Sequence, residues 1–348
     1  MEHGGTVTVA EEGGFDYAVP RRVVALDAAR AIVLMVALVA GAAIYSFELT
    51  SFLHAKEAVL CIGLAVMALL VAVRGHFYWN GIRAFAPLWI FVGLGLVRAA
   101  VMPTAVASDT ALSALRWGLI LVTVALAYDL LAQEKWRDRV FDAFIASAVV
   151  VALLGYVQYW GLAPRLFPVF DSYDQRVYSV FGNQDYFGGY VAMAFPAALY
   201  RMLGQRRRKW GLAGILLLAP ALLISGSRSA WLAALAGVCM VAPHLEWRPR
   251  RLAAAAIVAA AAVGATAYLA PEATVSRVRS AFAAKDEGRD SRVWLWKAGH
   301  GMFRDFPLMG MGLGNYAYWS PSYLGEIAAN RPADPSFNIE RHADQPHS

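Results

Sequence analysis

Nine stretches of nearly unbroken apolar sequence constrain this chain more than any other feature: residues 31–47, 58–73, 84–102, 117–132, 140–163, 186–203, 210–225, 230–245 and 252–270. Runs of this length leave no polar stripe for water, so lipid is their expected surround. Hydrocarbon offers the backbone no hydrogen-bond partner, and only a helix satisfies its own amides within one segment. The shortest stretches hold 16 residues, ~24 Å of helix against a ~30 Å hydrocarbon core. Their helices are therefore expected to run about one turn past the apolar limits. Composition agrees: 59% of the 348 residues are hydrophobic and 16% charged, where a soluble protein carries about 25% charged. Disorder is excluded by the apolar content, and a disulfide scaffold by a cysteine count of two. Cys61 and Cys239 both lie in apolar runs and read as small buried residues.

Residues 1–30 are polar, with acids at Glu2, Glu11, Glu12 and Asp16, and read as a mobile cytoplasmic tail. A cleaved signal peptide centred on 31–39 is the competing reading; the acidic leader and the many later spans argue against it. With the N-terminus inside, the cytoplasmic segments carry 16 Lys and Arg and the short outer loops six, with nine more after residue 270. That asymmetry favours a cytoplasmic N-terminus and places residues 271–348 outside. Arg206-Arg207-Arg208-Lys209 is the firmest cytoplasmic anchor, ahead of a nucleic-acid patch. Asp129, Asp142 and Arg201 fall near cytoplasmic helix ends and Arg98 near an outer end, where side chains reach the interface. No row of acids at mid-depth suggests a proton relay. The expected architecture is an all-α, polytopic transmembrane bundle of about nine spans over 31–270, followed by a large extracytoplasmic loop over 271–348.

That C-terminal segment balances nine basic against nine acidic residues and has no spanning run. One helix is expected over 291–303, capped by Asp290 or Ser291. It would carry Val293, Trp296, Lys297 and His300 on one face and lie along the membrane surface.

Five places carry candidate chemistry. Arg228 sits in the tight hairpin Ser225-Gly226-Ser227-Arg228-Ser229 at an expected outer boundary. A guanidinium there can clamp a phosphate bidentately, or simply anchor the turn at the interface. Arg292 follows Asp290-Ser291 at the start of the expected outer helix, suited to an anion beside the helix N-terminus or to an ion pair with Asp290. His342 and His347, in Arg341-His342-Ala343-Asp344-Gln345-Pro346-His347-Ser348, offer a base near neutral pH or a solvated tail; the set is weak for a metal. Gly310-Met311-Gly312-Leu313-Gly314 lacks the dinucleotide spacing and reads as a sharp turn after Pro307. Phe181-Gly182-Asn183-Gln184-Asp185 offers amides and a carboxylate for sugar hydroxyls, or a helix cap.

Together these segments resemble the O-antigen ligase and polymerase superfamily of bacterial membrane glycan transferases. Phe181-Gly182-Asn183 is similar to its Gly-Asn segment, and Ser225 through Trp231 to its Ser-Arg motif at a helix start. Arg292 through Trp296, then Phe303-Arg304-Asp305-Phe306-Pro307-Leu308-Met309-Gly310-Met311-Gly312-Leu313-Gly314-Asn315-Tyr316, resembles its Arg-x-x-x-Trp and Pro-Leu-x-Gly-x-Gly-x-Gly-Asn run. His347 resembles the histidine that ends the family's large outer loop. The resemblance covers about residue 60 to the end, with its motifs concentrated in 179–348.

The resemblance implies a metal-independent, inverting enzyme without cofactors in the bacterial inner membrane. It would move a glycan from undecaprenyl pyrophosphate to a lipid-linked, glycan or protein acceptor hydroxyl, with the bilayer as surround and no nucleic acid partner. Arg228 and Arg292 would hold the pyrophosphate, and His347 would be the base, with His342 second. Asn183, Asp185 and Ser227 would be further contacts. Ser348 stands where the family commonly has Asn, and family members carry further spans beyond this point that close the domain around the site, which implies a fragment, or a truncated product that is inactive where those spans are needed. A small-anion transporter and a non-catalytic scaffold of polysaccharide assembly are the competing readings. Sugar and acceptor identity do not follow from these motifs.

Overall fold

The apolar stretches fold as helices, and where the helices begin and end is set by charge. In the computed structural model, residues 6–10, 16–44, 52–75, 80–101, 104–163, 177–204, 208–244 and 287–329 are described, with 257, 260 and 264 as isolated helical positions. The chain divides into two compact units. One comprises Met1–Phe77 and Leu130–Ala281, the other Tyr78–Asp129 and Phe282–Ser348.

An antiparallel ribbon of β1 (Thr6–Ala10) and β2 (Asp16–Pro20) opens the first unit. Helix α1 (Arg21–Ala43) follows at once, so residues 21–30, expected within a mobile tail, are helical. The reason is electrostatic. Asp27, 6% exposed, accepts from Arg30 at 3.1 Å. It also meets Arg74, at the end of α2 (Phe52–Arg74), at 3.3 Å and Gln133 at 3.4 Å. One carboxylate thus ties two helices and a turn together and lets α1 extend ten residues beyond its apolar run. At the other end of α1, Lys56 donates to the carbonyls of Gly41, Ala42 and Ile44 at 3.3, 2.8 and 2.9 Å. An ammonium with three acceptors thus caps carbonyls at the end of the helix, which have no intrahelical donor. These contacts fix α1 and α2 as antiparallel neighbours.

In the second unit, the stretch 84–102 is split at Phe85 into α3 (Asn80–Ala84) and α4 (Ala86–Val101). Helix α5 (Thr104–Ala132) begins there and runs on to the first unit. The first unit then continues with α6 (Glu134–Tyr159), α7 (Gln184–Leu203), α8 (Arg208–Ile224) and α9 (Arg228–Val241). Its core lies between α6, α7, α8 and α9, around Ile145, Val151, Phe187, Val191, Leu218 and Ala234. Gly211 is required where α8 meets α7: a methyl group there would lie 2.6 Å from the Arg201 carbonyl carbon and 2.7 Å from the Ala198 oxygen. Arg201, near the end of α7, reaches Asp138 at 3.0 Å and Asp142 at 3.1 Å on α6. A charge inside an apolar run is thereby neutralised by two acids one turn apart.

Four helices, Arg21–Ala43, His54–Arg74, Val106–Ala132 and Glu134–Tyr159, are long and apolar enough to cross a membrane. Ala86–Val101, Lys209–Ile224 and Arg228–Val241 are shorter apolar helices. Helix α9 does not gain its expected extra turn: it passes into a 3₁₀ turn at Ala242–His244, where Pro243 supplies no N–H. The stretch 252–270 falls largely outside the described residues. The outward faces of α2 and α4 are apolar, with Ile62, Leu69, Ile90, Phe91, Leu94 and Val97 exposed. Faces of that kind suit lipid and not water. Cys61 and Cys239 are exposed on such surfaces and are not core residues as expected.

Asp27 is the contact most costly to remove. Asp27→Ala is expected to lower stability by about 3–5 kcal/mol, because two arginines lose a shared buried carboxylate. Unfolding of the detergent-solubilised chain measures this. Part of the loss should return in the Asp27→Ala, Arg30→Met double variant, and an unchanged midpoint for Asp27→Ala would contradict the assignment.

Candidate functional site

In the first unit, a lattice of serine hydroxyls builds the start of α9. The Ser225 hydroxyl donates to the Leu222 carbonyl at 2.7 Å and accepts from the Ser227 amide at 3.3 Å. Gly226 turns the chain with φ 64°, a left-handed conformation that favours glycine. Ser227 then caps α9: its hydroxyl accepts from the Ala230 amide at 3.3 Å and lies 3.0 Å from the Ser229 hydroxyl. Trp231 closes the turn by donating its indole N–H back to the Leu222 carbonyl at 2.9 Å. Ser225 and Ser227 are buried. Arg228 is the first helical residue after this cap and is half-buried.

The N-terminus of α7 packs against the same turn. Asn183 caps α7 by accepting the Asp185 amide on its side-chain oxygen at 2.7 Å, after Gly182 at φ 68°. Four residues into α7, Gly188 leaves no room for a side chain. An added methyl group would lie 2.8 Å from the Ser225 hydroxyl and 2.9 Å from Ala230 Cβ. Lower down, Gly237 of α9 faces Pro196 of α7 with equal closeness, 2.5 Å from an added methyl to the ring. The two contacts show that α7 and α9 run parallel with their N-termini on the same side. Each N-terminus carries the positive end of a helix dipole. Such a pair suits an anion, and Arg228 adds a full positive charge beside it.

The loop leading into α7 is held from behind. Gln158, at the end of α6 and 2% exposed, accepts the Tyr178 and Ser179 amides at 3.1 and 2.8 Å. Ser179, with φ 50°, donates its hydroxyl to Val151 at 2.8 Å. Phe181 stacks between Lys56, 4.5 Å from its ring, and Tyr190, with ring centroids 5.3 Å apart. A lone glutamine in an otherwise apolar run is the signal that could have marked Gln158 as the holder of this loop.

In the second unit, α10 (Glu287–Asp305) begins a turn earlier than expected, so Asp290 and Ser291 lie inside it. Its packed face is Trp294, Ala298 and Met302, which meets Leu324 of α11 (Tyr316–Ala329). Trp296 and His300 lie off that face, with Trp296 73% exposed, while the exposed Lys297 reaches back over the Trp294 ring at 4.0 Å. Tyr316 donates to the Leu295 carbonyl at 2.5 Å, and Tyr323 to Asp305 at 2.7 Å. That bond to a carboxylate pushes the Tyr323 hydroxyl up from 10.0 to about 12. The contact is therefore complete below the ordinary tyrosine range and is lost only as pH rises through about 12.

Between α10 and α11 the glycine run forms the expected turn, with Gly310, Gly312 and Gly314 at φ 63°, 94° and 80°. The buried Asn315 ends it. Its amide donates to the Thr110 hydroxyl at 2.5 Å and the Val106 carbonyl at 3.3 Å, and so pins the run to α5. Leu313 fits against Gly95 of α4. Asn315 was read in a motif, but its role as a pin required the fold.

The candidates thus fall into three sets. Asn183, Asp185, Ser227 and Arg228 gather around the α7 and α9 N-termini of the first unit. Arg292 is carried on the second turn of α10 in the second unit, and its side chain lies outside the described residues. His342 and His347 also lie outside them.

No match was found among curated proteins or solved structures. Residues 212–348 match the family model described as O-Antigen ligase. That stretch runs from α8 through the serine cap and the glycine run to His342 and His347, so this part of the chain is similar to the O-antigen ligase family.

Proposed function

We propose that the chain transfers a glycan from a polyprenyl pyrophosphate to an acceptor hydroxyl at the outer face of the bacterial cytoplasmic membrane. The observation that carries this reading is Arg228, held by the serine cap at the α9 N-terminus inside the matched domain. A guanidinium carried on the first turn of a capped helix is suited to a pyrophosphate leaving group.

In this reading the N-terminus is cytoplasmic, about nine spans cover residues 31–270, and 271–348 lies outside. The contacts agree with that alternation. Lys56 joins the end of α1 to the start of α2, whereas Asp27 joins the start of α1 to the end of α2. Arg201 likewise joins the end of α7 to the start of α6.

Undecaprenyl pyrophosphate presents its headgroup at the outer leaflet, and the pyrophosphate leaves without further activation. Arg228 and Arg292 neutralise the charge that develops on it, the largest catalytic term in a partly dry site. His347, with His342 second, removes the proton of the acceptor hydroxyl, a contribution of roughly 10²–10⁴-fold. The hydroxyl oxygen forms the new bond to the anomeric carbon as the bond to pyrophosphate breaks, so configuration inverts. Half-buried Asn183 and exposed Asp185, at the α7 N-terminus, are suited to sugar hydroxyls. Two cations do the work of a divalent ion, so the reaction needs neither metal nor cofactor. Lipid-linked, glycan and protein acceptors all fit this chemistry, as in lipopolysaccharide or other polysaccharide assembly.

Two outcomes are expected. Arg228→Ala should weaken binding of undecaprenyl pyrophosphate by about tenfold or more at low salt, and Arg228→Lys should lose most transfer because an ammonium lacks the planar fork. Equal binding by folded wild-type and Arg228→Ala chains across a salt series would overturn the clamp. Gly188→Val should also reduce binding while Arg228 is intact, because its side chain would wedge α7 from the serine cap; a variant that binds normally would show that the parallel helix pair is not needed.

A further inference from the structure

We propose that Arg98, on α4 of the second unit, is a phosphate-binding residue that takes an oxygen of a phosphate or pyrophosphate ester at the membrane face. The proposal rests on the membrane reading given above but not on Arg228.

Three arginines with buried side chains have acids, whereas Arg98 is half-buried as a residue. Arg30 and Arg74 share Asp27, and Arg201 holds Asp138 and Asp142. Arg98 breaks this pattern. It sits between Val97 and Ala99 near the end of an apolar helix, and no carboxylate among the described residues pairs with it. Its Nε is buried without a hydrogen-bond partner. The nearest acid in the glycine-run segment, Asp305, accepts from Tyr323 instead. A guanidinium N–H taken from water and left unsatisfied is destabilising unless something else supplies the acceptor.

What Arg98 has is a ring. Its guanidinium carbon lies 5.3 Å from the centroid of Phe306. That contact holds the charge over the ring while consuming no N–H donor. Phe306 is itself fixed. It receives the Gly310 amide on its carbonyl and donates its own amide to Met302, and the run after it is pinned by Asn315 to α5. Leu313 seats against Gly95, one turn before Arg98 on α4. The guanidinium therefore lies over a ring whose backbone is held in place, and its donors match the geometry of a phosphate better than that of any single carbonyl. Two sources of that chemistry exist at a bilayer surface: the pyrophosphate of a lipid-linked donor and the headgroup of a phospholipid.

The test uses the purified full chain and three probes: undecaprenyl pyrophosphate, a phosphatidylglycerol, and a neutral diacylglycerol. Arg98→Ala is compared with wild type and with Arg83→Ala, an exposed basic residue of the same unit. Arg98→Ala should weaken binding of at least one phosphate lipid by about tenfold, while Arg83→Ala changes it by less than about twofold and the neutral probe is indifferent. A loss confined to undecaprenyl pyrophosphate identifies the donor as the ligand; a loss that includes phosphatidylglycerol identifies a headgroup site. Undiminished binding of both phosphate lipids by Arg98→Ala overturns the proposal. Should that variant not fold, Arg98→Lys and Phe306→Leu replace it, the first keeping charge without the fork and the second keeping the fork without its ring; wild-type affinity in both is equally fatal. Arg228→Ala is measured alongside. A loss there with none at Arg98 removes this proposal alone, and the converse removes the Arg228 clamp alone.

Discussion

A charge within an apolar helix must find its partner on the protein, because hydrocarbon supplies none. Much of this chain follows from that requirement. Asp27 gathers Arg30, Arg74 and Gln133; Arg201 gathers Asp138 and Asp142; Lys56 spends its three donors on the end of α1. Each cluster joins helix ends, so the charges that would oppose insertion become the ties that set which helices are neighbours. The clusters also explain why α1 begins at Arg21 and not where its apolar run begins.

The serine turn shows the complementary device, close approach through small residues. Gly188, Gly211 and Gly237 let α7 meet α8 and α9 at distances no side chain would permit. Tight helix pairing of this kind is how apolar helices associate where burial of greasy surface gives no advantage. Here it also has a chemical result. Two helix N-termini lie side by side, each capped by a polar side chain, with Arg228 on the first turn of one of them. The caps satisfy some amides and leave the dipoles aligned, an arrangement that suits an anion such as the proposed pyrophosphate.

Helices within the first eight apolar stretches were legible in the sequence because length and hydropathy decide them. Their limits were less so: the start of α1 depends on partners distant in sequence, Asp27 on Arg74 and Gln133, and the end of α9 on the adjacent Pro243 inside the apolar run. The ribbon of β1 and β2 had no signal among the polar residues before Arg21. Cysteines in apolar runs suggested burial, but in a chain whose outward faces are apolar that inference has no force, and Cys61 and Cys239 face outward. On α10 the face at i, i+3, i+4 and i+7 from Val293 was chosen, whereas Trp294, Ala298 and Met302 pack, because α11 and not α10 alone decides which stripe is covered. The Ser-Arg and glycine-run motifs were visible as patterns, and the family match over 212–348 agrees with them. That Asn315 pins the run to Thr110 was beyond any local reading.

The central claim is that a polyprenyl-pyrophosphate-linked glycan is the donor. Its most direct test is the amount of that lipid-linked glycan in membranes from cells with and without the chain. Loss of the chain should cause the donor to accumulate, and return of the wild-type chain, but not of Arg228→Ala at equal abundance, should clear it. An unchanged donor pool in all three would contradict the claim.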